Sequence, residues 1–145
     1  MIKKFNSPII SLTINIPGLN KITKDAKCIL DASIKEILKS GLDIVEIKTY
    51  ETASGYEAQI SIKEDAIKIK NQAIYIENNH PLGRFMDIDV IDKDAVIISR
   101  KNMLIPVRKC YLCENDAKIC ARSKKHSLDE LLSFIHQKVL EYEKD

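Results

Sequence analysis

Tyr56-Glu57-Ala58-Gln59-Ile60-Ser61-Ile62-Lys63 runs straight into Glu64-Asp65-Ala66-Ile67-Lys68-Ile69-Lys70-Asn71-Gln72-Ala73-Ile74-Tyr75-Ile76-Glu77-Asn78, and the apolar period changes between the two. In the first run Tyr56, Ala58, Ile60 and Ile62 alternate with polar neighbours, the pattern of a strand with one buried and one wet face. In the second, Ala66, Ile67, Ile69, Ala73, Ile74 and Ile76 recur at helical spacing and predict a helix over 65–78. A strand feeding directly into a helix points to an α/β (α+β) chain.

The flanking sequence extends this pattern. Pro8 to Ile16 is β-branched and partly alternating, and Pro17-Gly18 stops it, so it reads as a strand. From about Thr23 to Ser40, Ala26, Ile29, Leu30, Ile34, Ile37 and Leu38 keep a helical period, and Gly41 suits the position just past the helix end. A strand is predicted over 44–51. After the helix, His80-Pro81-Leu82-Gly83 turns the chain, because Pro81 blocks further helix and Gly83 permits unusual backbone angles. Phe85 to Asp92 reads as a strand, Lys93-Asp94 as a turn, and Ala95 to Ser99 as its partner strand. The stretch 106–126 has no period and carries three cysteines. Ser127-Leu128-Asp129-Glu130 is a capping-box pattern opening a helix over about 127–143. The order is therefore β-α-β-β-α-β-β, a Cys-rich segment, then α. It predicts one domain over 1–145 with a mixed sheet and flanking helices.

With 45% hydrophobic and 30% charged residues, the 145-residue chain has the means to bury a core. A net charge of +2 gives no ground for a nucleic-acid or membrane partner, so any anion must meet a local basic cluster. No run approaches the roughly 20 apolar residues of a membrane span, and Met1-Ile2-Lys3-Lys4-Phe5 lacks a signal peptide's apolar run; the expected address is the cytoplasm.

Within Arg84-Phe85-Met86-Asp87-Ile88-Asp89, strand alternation puts Asp87 and Asp89 on one face and Met86, Ile88 and Val90 on the other. Two carboxylates this close oppose each other's ionisation unless a cation lies between them, and hard oxygens suit Mg2+. Arg84 is placed to clamp a phosphate. Asp-x-Asp also occurs at plain solvated strand ends, as Asp92 and Asp94 beside Lys93 illustrate.

Cys110-Tyr111-Leu112-Cys113, Cys120 and His126 together offer three thiolates and one imidazole, a complete tetrahedral set for structural Zn2+; the alternative is small buried side chains before a helix. Arg100, Lys101, Arg108, Lys109, Arg122, Lys124 and Lys125 flank this segment, as a solvated face or as contacts to a phosphate-rich ligand.

Three blocks, Ser11-Leu12-Thr13-Ile14-Asn15-Ile16-Pro17-Gly18, Glu51-Thr52-Ala53-Ser54-Gly55-Tyr56-Glu57-Ala58 and His80-Pro81-Leu82-Gly83-Arg84-Phe85-Met86-Asp87-Ile88-Asp89-Val90, resemble signature blocks of the CitX family. Ile98-Ser99-Arg100 and the run from Arg108 through Cys110, Cys113, Cys120 and Arg122 to His126-Ser127-Leu128 continue the likeness. That family is the apo-citrate lyase phosphoribosyl-dephospho-CoA transferases, or citrate lyase holo-acyl-carrier-protein synthases. The resemblance implies attack by a serine of the citrate lyase acyl carrier protein on triphosphoribosyl-dephospho-CoA, with release of pyrophosphate. It also implies a nucleotidyltransferase-like site with Asp87 and Asp89 on Mg2+ and a third acid, Glu57 or Glu51, of which Glu57 matches the family block through Gly55-x-Glu57. Arg84 would contact the triphosphate, Gly83 would let the main chain approach it, and Arg100, Arg108 and Arg122 are further phosphate candidates. His80 is either a base for the serine or a hydrogen-bonded turn histidine. The rival readings are a zinc-knuckle module that binds an acidic protein or RNA, and a nucleotidyltransferase with another acceptor.

Overall fold

In a computed structural model, residues 5–100, 108, 110, 112, 113 and 126–144 are described. Their elements are β1 (Ile9–Ile14), α1 (Lys24–Lys39), β2 (Ile44–Thr52), β3 (Gly55–Ile62), α2 (Ala66–Asn79), a 3-10 turn (Gly83–Phe85), β4 (Met86–Ile91), β5 (Ile97–Ile98) and α3 (Leu128–Lys144).

Each described helix start has a polar cap. Thr23 Oγ1 accepts the Ala26 amide at 3.1 Å, and Asp65 Oδ2 accepts those of Ile67 and Lys68 at 3.1 and 3.3 Å. Ser127 and Glu130 exchange reciprocal bonds of 3.1 and 3.3 Å at the start of α3, the capping box read from sequence. Gly41, at φ +82°, takes the left-handed position after α1.

The five strands lie in the order β2-β3-β1-β4-β5. All described pairings are antiparallel, which corrects the expected mixed sheet. The physical reason is interleaving: β3 inserts between the co-directional β1 and β2, and β1 inserts between the co-directional β3 and β4. Both helical crossovers thus skip a strand, the split β-α-β arrangement of ferredoxin-like sheets. Helices pack on one face over Leu12, Ala58, Ile60, Ile62, Met86, Ile88 and Val90, all fully buried, and Ile29, Ile37, Ile69 and Ile135 close the core. Burying each of the larger aliphatic side chains is worth about 1.5–3 kcal/mol.

Four local expectations are corrected. β5 spans two residues rather than 95–99, because Asp92 Oδ1 captures the Asp94 and Val96 amides at 2.9 Å each, and Ala95 turns to φ +65°. Phe85 belongs to the 3-10 turn before β4, not to the strand. Gly83 is not among the positive-φ glycines. Its role is close packing, since a Cβ there would collide with the carbonyl oxygens of Ile76 and Glu77. Ile67, counted into the apolar stripe of α2, faces solvent at 46% exposure.

Candidate active site

The sheet face away from the helices is covered near Ile9 and Ser61 but accessible further along. Its rows follow from register. Tyr50, Glu57, Thr13 and Asp87 lie side by side across β2, β3, β1 and β4, and Lys48, Gln59, Ser11 and Asp89 form the next row. Asp87 and Asp89 are exposed while Met86, Ile88 and Val90 are buried, so both carboxylates share the accessible face. Glu57 stands two strands from Asp87, about 10 Å between backbones at the usual strand spacing.

Asp89 holds its proton above the ordinary carboxylate range. The main cause is partial desolvation by surrounding protein even though the side chain reaches the surface; the charge of Asp87 adds to it and Lys70 opposes it. The two aspartates therefore form a site of concentrated negative charge that would favour a cation.

Arg84 sits half-buried on the 3-10 turn. Arg100 and Arg108 are drawn inward. Arg100 pairs with Glu77 Oε1 at 2.7 Å, while Arg108 donates to the carbonyls of Met86, Gly83 and Arg84 at 2.7, 3.0 and 2.6 Å and lies 3.6 Å from Glu77 Oε2. Burial lowers the Arg108 pKa, and Glu77 works against that. Arg122 and Cys120 lie outside the described residues.

Glu77 and Lys70 went unread in the sequence. Both are buried on α2, and Glu77 Oε2 accepts the Ile88 amide at 3.0 Å while Lys70 Nζ donates to the Ile88 carbonyl at 3.3 Å. The available signal was two charges seven residues apart on the otherwise apolar face of an amphipathic helix.

Ligand atoms of Cys110, Cys113 and His126 all lie within 4.8 Å of one another, a Cys/His group compatible with Zn2+. The Leu112 amide donates to Cys110 Sγ at 3.5 Å. His126 Nε2 is buried with no hydrogen-bond partner among the described residues, and its Nδ1 lies 4.0 Å from Glu130.

His80 is the turn histidine: its Nδ1 accepts the Leu82 amide at 3.0 Å, and its ring lies 5.3 Å from that of Tyr142 in the helical layer. Cys28 on α1 is pushed up to about 11, chiefly by burial and then by Glu143, which leaves it a poor nucleophile at neutral pH. It borders a hollow of about 670 Å3 with Lys27, Lys35, Tyr56 and Tyr142 on the helical side. Asp31 and Glu143 also line that hollow, whereas Asp87 and Asp89 share the accessible face of the sheet.

Carboxylates grouped on an accessible sheet face are a donor set of the kind that metal-assisted group transfer uses. Comparison with known proteins gives the particulars. Residues 1–142 match the CitX family, apo-citrate lyase phosphoribosyl-dephospho-CoA transferase. A probable apo-citrate lyase phosphoribosyl-dephospho-CoA transferase of Vibrio cholerae is 39% identical over 97% of this chain and 82% of its own length. The Escherichia coli apo-citrate lyase phosphoribosyl-dephospho-CoA transferase is 37% identical over 91% of this chain and 74% of its own. The chain belongs to this family and is an enzyme of that transferase type. No helix among the described residues is long and apolar enough to cross a membrane.

Proposed function

We propose that the chain moves the phosphoribosyl-dephospho-CoA group from its triphosphate precursor to a serine of the citrate lyase acyl carrier protein. Family membership supports substrate and acceptor; the row of Glu57, Thr13 and Asp87, with Asp89 beside it on the accessible face, carries the site. The serine Oγ bonds to the α-phosphorus, the bond from that phosphorus to the outgoing pyrophosphate breaks, and the hydroxyl proton passes to solvent. Chemically this is nucleotidyl transfer, which is the sense of the nucleotidyltransferase-like label.

Asp87 and Asp89 are the Mg2+ ligands of this reading. Their hard oxygens and the raised proton affinity of Asp89 fit a divalent cation. Bound there, Mg2+ supplies neutralisation of the charge that builds on phosphoryl oxygens. Glu57 serves as the third acid. Arg84 contacts the triphosphate, with the Gly83 main chain adjoining it. Arg100 and Arg108 are weaker phosphate contacts because Glu77 already engages them, and Arg122 remains a candidate from sequence. Cys110, Cys113 and His126, completed by Cys120, hold a structural Zn2+; the unpartnered His126 nitrogen and the Leu112 amide donating to Cys110 Sγ support this set. The whole chain acts as one transferase domain in the cytoplasm, where its thiolates stay reduced, without membrane or nucleic-acid partners.

The test is to incubate the protein with Mg2+, apo carrier protein and triphosphoribosyl-dephospho-CoA and weigh the carrier. One serine gains the prosthetic group; an unchanged carrier mass with competent reagents overturns the assignment. Asp87→Asn and Asp89→Asn each lower pyrophosphate release by on the order of 10^3-fold with folding intact, as loss of several kcal/mol of charge stabilisation requires.

A further inference from the structure

β4 is paired along its length with β1, but on its other edge β5 reaches only Val90 and Ile91. Main-chain groups alternate in direction along an antiparallel strand, and those of Ile88 point to that second edge. There α2 takes the place of a neighbouring strand: Glu77 accepts from the Ile88 N–H at 3.0 Å and Lys70 donates to its C=O at 3.3 Å.

We infer that Lys70 and Glu77, with Arg108, are positioning residues that fix the relative aim of Asp87 and Asp89 by gripping the main chain that carries them. The inference rests on the proposed reading of the two aspartates as metal ligands. Ile88 is the residue between them, so its backbone angles set how the carboxylates converge. Arg108 holds the Gly83, Arg84 and Met86 carbonyls just upstream, and Arg100 pins Glu77 through its other oxygen.

Economy argues against edge protection as the whole explanation. Lys70 and Glu77 are only 5% and 3% exposed, and buried charges carry a desolvation cost that a longer β5 over an apolar helix would avoid. What the charged pair adds is a hold on the main chain of one residue, Ile88, from both its donor and its acceptor. Arg108 stands two residues before Cys110, so the Cys/His group lies close along the chain to this grip.

The experiment measures pyrophosphate release by the full-length protein against Mg2+ concentration, with apo carrier protein and triphosphoribosyl-dephospho-CoA. Glu77→Gln keeps an acceptor for the Ile88 amide but loses the ion pairs; Lys70→Arg keeps a donor and shifts its position. Each is expected to raise the Mg2+ concentration for half-maximal rate and lower kcat by about 10- to 100-fold, with KM for the carrier unchanged, as for outer partners of metal ligands. Glu77→Ala falls further, and the ranking Gln above Ala shows rescue by the conservative side chain. If both conservative variants lose Tm yet keep the wild-type Mg2+ dependence and kcat, the pair only seals the sheet edge and the inference fails. If Glu77→Gln does not fold, Lys70→Arg decides by the same readout. Asp87→Asn separates the two claims: full activity there sinks the metal reading itself, whereas an inactive Asp87→Asn beside unaffected grip variants sinks only the grip.

Discussion

A Cβ on Gly83 would stand 2.5 Å from the Ile76 carbonyl oxygen and nearer still to that of Glu77. Both contacts are main chain at the end of α2, so nothing there can swing aside. Gly83→Ala is expected to cost about 1–3 kcal/mol, read as a lower midpoint in thermal or denaturant unfolding. Sequence identified Gly83 as a special position but assigned the wrong property, because a missing side chain matters for packing only once its neighbour is known. His80 carries the pH prediction at this scale. Burial holds its pKa below the ordinary value of about 6.5, against the pull of Glu36. The unfolded chain then binds the proton more readily than the folded one. The stability involved is present above pH 6.5 and is lost as pH falls below it toward the folded-state pKa. Wild-type Tm should fall between pH 7 and pH 5, and His80→Gln should flatten that slope; an unchanged slope would remove His80 from the account.

Among the elements, the helices were most legible. α1 and α2 lie where the apolar period placed them, with Thr23 and Asp65 as their caps, and α3 opens on the expected box formed by Ser127 and Glu130. Cap and apolar period are encoded within a few neighbouring residues, so no distant contact is needed to read them. α3 is docked by few fully buried side chains, Ile135 and Val139. Its N-terminal box should therefore be felt: Ser127→Ala is expected to lower stability by about 0.5–2 kcal/mol, measured by denaturant titration. The alternation along β4 was equally readable and put Asp87 and Asp89 on one face. β5 was overestimated because the Asp92 carboxylate competes for amides that the sequence pattern gave to a ladder. The α2 grip on Ile88 was invisible from β4 alone, since its two side chains come from 18 and 11 residues away.

For the whole molecule, the proposed zinc makes the most direct prediction. Removing it with a chelator is expected to lower Tm by ~10 °C, corresponding to ~3 kcal/mol in a domain of this size, with recovery on adding Zn2+. A folded, chelator-indifferent protein with no zinc by metal analysis would return Cys110, Cys113 and His126 to packing. The sequence by itself determined the helices and the capping box of α3, the face of Asp87 and Asp89, the candidate thiol and imidazole donors, and the family blocks. Each of these is carried by residue type and short spacing. Only the tertiary structure decided that the sheet is antiparallel, that Glu57 shares a row with Asp87, and that Glu77 draws Arg100 and Arg108 inward. Strand order and buried charge pairing join residues far apart in the chain. The free energy that selects them is desolvation and packing in the assembled fold, and no local run of sequence contains it.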